Sequence, residues 1–150
     1  MPERNDALIQ SVRMAIYAAI EKAGTAPSIA ELARAHSLDT GEVEAAYRAL
    51  ADGHIIVLEP GTLTIRWAPP FSLVATPFLV HRERSSWFAP CAWDAFGIPA
   101  ALGGDARIDA SCAWSGESIA CGVEHDRAYG NGVIHLVVPA AHFWDDIFLT

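Results

Sequence analysis

The sequence has few cysteines, few basic residues and no long apolar run. Its three cysteines, Cys91, Cys112 and Cys121, include no C-x-x-C pair, which disfavours a structural zinc site. An odd number of cysteines behind a charged N-terminus favours reduced thiols over a disulfide framework. Every apolar run is interrupted by charge, glycine or proline before it reaches membrane-spanning length. We therefore expect a cytoplasmic protein without a signal peptide or a membrane segment.

The shortage of basic residues also limits the partners. Ten Lys and Arg stand against 18 Asp and Glu, giving a net charge of −8. This balance disfavours nonspecific binding to nucleic acid or to acidic membranes. Hydrophobic residues make up 52% of the chain and charged residues 19%, which provides a core and excludes disorder. The length of 150 residues predicts one domain, or one domain with a small module in front.

The first third of the chain predicts three helices and a hairpin. Apolar residues recur every three or four positions from about Asp6 to Ala23, and "SIAE" and "DTGE" each match the capping box that begins a helix. The β-prone runs "HIIVL" and "LTIRW" flank Pro60 and Gly61, which suit a type II turn. This order of elements predicts a winged-helix-like module over residues 1–67.

Such a module raises the possibility of a transcription factor, which the charges disfavour. The third predicted helix, "DTGEVEAAYRALAD", has four acidic residues and one arginine, and residues 1–53 hold five basic and eight acidic side chains. A helix that reads DNA needs clustered Lys and Arg for phosphate contacts. We therefore expect this module to act as a scaffold or lid, without binding nucleic acid.

The rest of the chain, residues 68–150, predicts a mixed and mainly antiparallel sheet with short helices, so that the fold class is α+β. "APPFS" indicates a linker, and "SLVATPFLVH" is expected to be extended. "RIDASCAW" and "SIACGVEH" predict two strands around a Ser115–Gly116 turn, and "GVIHLVVP", with His135, predicts another. "AWDAFGIPAALG" predicts a short helix that Pro99 must start or break. "AAHFWDDIFLT" is expected to begin helical and finish extended.

One pair of residues suggests chemistry. "CAWDAFGIPAALG", residues 91–103, places Cys91 three residues before Asp94 in an apolar stretch. On a helical turn, residues three apart share a face, so the thiol and the carboxyl can approach each other. The spacing alone is common. Cys112 and Cys121 lie in adjacent predicted strands, where a free cysteine usually packs as a small hydrophobic residue.

At these residues the sequence resembles the alkylmercury (organomercurial) lyase family over nearly its whole length. The matching segments, in order, are "PFS" at 70–72, "TPF" at 76–78, the string C-A-x-D-x-x-x-x-P-A from Cys91, and "ASCAWSG" at 110–116. Trp93 stands where smaller residues are more usual and is expected to narrow the pocket. The resemblance places the family's second catalytic cysteine beyond "HFWDDIFLT", so we expect that this chain is truncated and lacks that thiol.

The resemblance implies cleavage of carbon–mercury bonds by protonolysis, giving a hydrocarbon and Hg²⁺. Cys91 would be the first mercury ligand, because mercury is soft and thiolate is its natural ligand. Asp94 would carry the proton to carbon, and an apolar setting would raise its pKa for that role. Cys112 matches a cysteine usually regarded as structural. No cofactor is implied, although small thiols would be needed for product release, and Hg²⁺ could be handed to a mercuric reductase.

The residues leave a second function open. A noncatalytic thiol-dependent metal-binding or regulatory protein with the same fold would need thiols but no converging carboxyl. The lyase needs two thiols and one carboxyl that converge.

Overall fold

The chain folds as two units, residues 1–69 and 70–150, and the computed structural model describes residues 2–148. The division falls two residues after the boundary that the sequence predicts. Among the described residues, no helix combines the length and the apolarity that a bilayer crossing requires.

Three helices and a hairpin make up the first unit. The helices are α1 (Pro2–Ala23), α2 (Ile29–His36) and α3 (Thr40–Asp52). Both predicted capping boxes are confirmed: Ser28 and Asp39 are the N-caps of α2 and α3, and each exchanges hydrogen bonds with a glutamate three residues on. The apolar faces of the helices form the core of this unit, which includes Val12, Ile16, Ile20, Leu32, Val43, Tyr47 and Leu50.

The hairpin of the first unit joins β1 (Val57–Leu58) to β2 (Ile65–Ala68) as an antiparallel pair. Its predicted turn is confirmed, because the Thr62 amide donates to the Glu59 carbonyl at 3.0 Å across Pro60 and Gly61. Gly61 has a φ of 73°, which a type II turn requires at that position. The winged-helix-like interpretation of this unit stays a prediction.

An antiparallel sheet dominates the second unit and confirms the predicted α+β class. Its strands are β3 (Phe71–Ser72), β4 (Leu79–Arg82), β5 (Ser85–Phe88), β6 (Ala106–Ser111), β7 (Ser118–Glu124) and β8 (Arg127–Tyr129), in the order β3-β5-β4-β6-β7-β8. The predicted hairpin around Ser115 and Gly116 is confirmed as β6–β7, and the Cys112 amide donates to the Glu117 carbonyl at 2.8 Å beside the turn.

Helix α4 (Ala92–Leu102) packs against β4, β6 and β7. The expectation that Pro99 starts or breaks this helix is wrong, since Pro99 lies inside it and is buried with Ala95 and Ile98. Proline removes one backbone donor, which costs helix stability. Here the burial of the helix's apolar face outweighs that cost, because most helical stability in proteins comes from packing.

Three further expectations need correction. "APPFS" is not simply a linker, because Phe71 and Ser72 are buried and Ser72 pairs with Phe88. "GVIHLVVP" forms no strand, and its Val133 is 92% exposed. "AAHFWDDIFLT" begins with a 3₁₀ turn at Ala140–His142 but continues through turns to residue 148 instead of extending, and its last two residues lie outside the described part. The β-prone residues of "GVIHLVVP" pair with no strand among the described residues, and strand propensity depends on such a partner.

Candidate active site at the start of helix α4

Cys91 and Asp94 contact each other at the first turn of α4. The Cys91 thiol donates a hydrogen bond to Asp94 Oδ2 at 3.3 Å, and the Asp94 amide donates to Cys91 Sγ at 3.5 Å. Both side chains are half-buried. The structure therefore brings together the two residues that the sequence singled out.

Helix capping explains the spacing of three residues. Cys91 is the N-cap of α4, with the extended backbone (φ −147°, ψ 176°) typical of that position. Asp94 occupies the third helical position, as Glu31 does relative to Ser28 in α2. The arrangement thus resembles a capping box in which a thiol replaces the hydroxyl. Any helix that begins at such a residue holds its N-cap and N3 side chains side by side.

The segments around α4 hold its N-terminus in place. Thr76 Oγ1 donates to the Ala89 carbonyl at 2.6 Å, and the Ala89 amide donates to the Phe78 carbonyl at 3.0 Å, two residues before Cys91. At Gly97 an added Cβ would lie 3.1 Å from Pro70 Cβ, so the helix packs closely on this proline. The "TPF" and "PFS" segments therefore position the helix that carries the site.

The protonation of the pair is set mainly by burial. The pKa of the Cys91 thiol is raised to about 11, mainly by burial and also by the nearby Asp94 carboxylate, while hydrogen bonds from the Asp94 and Trp93 backbone act to lower it. Burial also raises the pKa of Asp94, while the hydrogen bond from Cys91 opposes that change. At neutral pH the proton therefore rests on sulfur and points at a carboxylate oxygen that is more basic than usual.

An apolar cavity of about 440 Å³ lies beside this helix. Its lining includes Ala92 and Ala95, the neighbours of Cys91 and Asp94, but neither of those two residues themselves. Trp93, which we expected to narrow the pocket, is 65% exposed and is not part of the lining. We place the candidate chemistry at the Cys91–Asp94 contact, because there a thiol donates a hydrogen bond to a carboxylate.

The other two cysteines line the cavity instead. Cys112 Sγ accepts a hydrogen bond from the Ser115 amide at 3.5 Å, and hydrogen bonds from Ser115 lower the pKa of this thiol. Burial, followed by the charge of Asp109, raises the pKa of Cys121. The sequence predicted both as packing residues and gave no sign of the cavity, because the lining of the cavity comes from segments distant in the chain. Within residues 2–148, no three His, Cys, Asp or Glu side chains form a group that could hold a metal ion.

Comparison with known proteins assigns the family. The sequence model of the alkylmercury lyase family matches residues 71–148, which is more than half of the chain and includes Cys91, Asp94 and Cys112. The chain belongs to the alkylmercury lyase family. The matched range lies within the second unit.

A solved structure of this family is also similar. The chain superposes on the crystal structure of the mercury-bound form of MerB2 with a TM-score of 0.64 and 25% sequence identity. The match covers 81% of this chain and 58% of that one, so the chain spans less than two thirds of the MerB2 length. A comparison with curated proteins gave no match.

Proposed function

We propose that this protein is an organomercurial lyase that cleaves a carbon–mercury bond by protonolysis at Cys91 and Asp94. The observation that supports the proposal is the 3.3 Å contact from the Cys91 thiol to Asp94 Oδ2. Family membership supports the reaction type. A thiol-only metal-binding protein would have no use for that carboxylate, so the contact favours the lyase.

Capture is the first step of the proposed reaction. A substrate R–Hg–X, where X is halide or a small thiolate, exchanges X for the Cys91 sulfur. The Hg–S bond forms, the Hg–X bond breaks, and the thiol proton moves to Asp94, which already accepts it in a hydrogen bond. Since burial raises the pKa of Asp94, this carboxyl holds the proton better than an ordinary aspartate would.

Cleavage follows when a second thiolate binds mercury. Two sulfur donors push electron density onto carbon, which then takes the proton from Asp94 as the Hg–C bond breaks. The products are the hydrocarbon R–H and Hg²⁺ held by two thiolates, and Asp94 returns to its carboxylate form. Cys112 and Cys121 line a cavity that does not include Cys91, so we assign the second thiol in the assay to an added small thiol.

Replacement of the carboxyl separates capture from cleavage. With phenylmercury as substrate and glutathione present, Asp94→Asn should lower benzene release by about 10²–10⁴-fold, the usual contribution of a positioned general acid. The phenylmercury adduct on Cys91 should still form, as measured by peptide mass spectrometry, which assigns the adduct to one cysteine. Cys91→Ser should lose that adduct, because a hydroxyl is a hard and weak ligand for a soft metal.

Asp126→Asn is the matched control for this experiment. Asp126 is exposed in the β7–β8 turn with a φ of 60°, a conformation that asparagine tolerates, so this variant should release benzene at the original rate. Equal benzene release from Asp94→Asn and Asp126→Asn would exclude Asp94 as the acid. Phenylmercury binding by Cys91→Ser equal to that of the original protein, with every adduct mapped to Cys112 or Cys121, would exclude Cys91 as the ligand.

We also propose a cellular setting and a partner for this activity. The charge of −8 and the reduced thiols favour a cytoplasmic setting in which small thiols release the product. From there, Hg²⁺ bound to two thiolates can pass to a mercuric reductase by thiol exchange. We propose no nucleic-acid or membrane partner.

A further inference from the structure

The cavity beside α4 contains a thiol that the proposed reaction does not use. Cys121 lies on β7 opposite Ile108 of β6, and both residues line the cavity. Because strand side chains alternate between faces, Ile119 and Cys121 share the face that looks into this space. Asp109, whose charge raises the pKa of Cys121, belongs to the other face, where it contacts His81 at 2.8 Å.

The cavity has apolar walls on several sides of Cys121. Ala95 and Phe96 of α4 form one wall, and the segment from Ala128 to His135 forms another. At Gly130 an added Cβ would lie 2.6 Å from Cys121 Cβ, so the backbone of that segment passes directly beside this thiol. Only glycine allows this approach, and its φ of 128° is a conformation that other residues rarely adopt.

The volume of the cavity suits an organic group. An apolar cavity of 150 Å³ is enough to bind benzene, and this one holds about 440 Å³. The space therefore accommodates a phenyl or short alkyl group together with a mercury atom. A soft thiol in an apolar cavity of this size provides a ligand for the mercury atom of an organomercurial and space for its organic group.

We propose that this cavity is a second organomercurial-binding site, in which the Cys121 sulfur binds mercury and the apolar walls hold the organic group. The step is an exchange without oxidation or reduction: the Hg–S bond forms, the bond from mercury to its halide or small-thiolate ligand breaks, and the thiol proton goes to solvent. The ligand class rests on the proposed function. The site retains the compound and does not cleave it, because Asp109, the carboxylate whose charge reaches Cys121, belongs to the other face of the sheet and contacts His81 there.

Cys112 provides the matched comparison. It also lines the cavity, but it lies at the hairpin turn, opposite Glu117. In the β6–β7 register, Cys112 lies four positions from Ile108, the residue opposite Cys121, which is about 13 Å along a strand. The two sulfurs are therefore too far apart to share one mercury atom, and each thiol can be measured separately.

The test uses the Cys91→Ser protein, so that only Cys112 and Cys121 react. After phenylmercury is added, glutathione is titrated in, and the adduct remaining on each cysteine is followed by peptide mass spectrometry. We expect release from Cys121 to need at least about tenfold more glutathione than release from Cys112, because Cys121 lies between the apolar walls and should bury a bound phenyl group more fully than Cys112 at the hairpin turn. With methylmercury, which buries less area, the ratio should shrink.

A cavity-filling variant isolates the contribution of the walls. Ala110 lines the cavity, and Ala110→Leu in the same background should reduce the retention of phenylmercury on Cys121 more than that of methylmercury. Circular dichroism of Cys91→Ser with and without Ala110→Leu checks that the fold is kept. If Ala110→Leu does not fold, the glutathione titration of Cys91→Ser still tests the proposal. Release from both cysteines at the same glutathione concentration would overturn the proposal. Benzene release bears only on the lyase proposal, so the two can fail separately.

Discussion

Cys91→Ser should stabilise α4 while it removes mercury capture. Sulfur is a weak hydrogen-bond acceptor, and Cys91 Sγ accepts from the Asp94 amide at 3.5 Å. Ser28 performs the same capping function in α2 with its oxygen 3.2 Å from the Glu31 amide. Serine is among the best N-cap residues, and its loss to alanine typically costs about 0.5–2 kcal/mol. The cysteine at position 91 is thus a weaker N-cap than a serine at the same position would be.

The size of the effect follows from these contacts. The serine hydroxyl can cap the helix and still donate to Asp94, so no buried group loses its partner. We expect a gain of about 0.5–1 kcal/mol in the free energy of unfolding of the second unit. For a unit of about 80 residues this corresponds to a rise in melting temperature of roughly 2–8 °C. Cys91→Ala should move the melting temperature down instead, because it leaves the Asp94 amide without its acceptor.

Thermal melts of the three proteins, followed by circular dichroism and by tryptophan fluorescence, measure this difference. Mass spectrometry with phenylmercury on the same samples measures capture. A serine variant that melts several degrees below the original protein would refute the reasoning, since the thiol would then stabilise the helix by packing and not by capping. Equal melting of the serine and alanine variants would refute it as well, because the cap would then contribute nothing.

Two further predictions concern the thiols and the first unit. Iodoacetamide should modify Cys112 first and Cys91 last at pH 8, because a pKa of about 11 leaves about one Cys91 in a thousand as thiolate. The pH midpoint of Cys91 alkylation should fall in Asp94→Asn, because the charge that raises the pKa of Cys91 is removed. It should stay above 9.0, the ordinary pKa of a cysteine thiol, because burial remains. A midpoint at or below 9.0 in the original protein would contradict this prediction. The first unit should show no duplex-DNA binding at physiological salt, because α3 is acidic and its Arg48 pairs with Glu44 at 3.3 Å. Salt-sensitive micromolar binding in an anisotropy titration would revive the transcription-factor hypothesis.

Local signals predicted the first unit well. The capping boxes at Ser28 and Asp39 depend on residues three apart, and the turn at Pro60 and Gly61 depends on two neighbours. Such signals lie within a few residues of one another, so the sequence contains them complete. The same holds for the Cys91–Asp94 contact, which is a helix start in which sulfur replaces oxygen.

Features that depend on distant partners were not predictable in this way. Pro99 sits inside α4 because the helix buries Ala95 and Ile98, which no local rule reveals. "GVIHLVVP" has strand residues but no strand to pair with. The cavity at Cys121 is lined by five separate segments, and Gly130, whose backbone passes beside this thiol, is nine residues away in the sequence. Features of this kind can be recognised only once the fold is known.

At the start of α4, opposing effects act on the pKa of the Cys91 thiol. A helix N-terminus ordinarily favours a thiolate, and the Asp94 and Trp93 backbone hydrogen bonds lower the pKa of Cys91 accordingly. Burial and the Asp94 carboxylate act in the other direction and prevail, so the thiol keeps its proton. In the reaction proposed above, the sulfur loses that proton when mercury binds, and the carboxylate that disfavours the thiolate is the group in contact to accept it. On that proposal, burial keeps the proton in the site until mercury displaces it toward Asp94, from which carbon would take it.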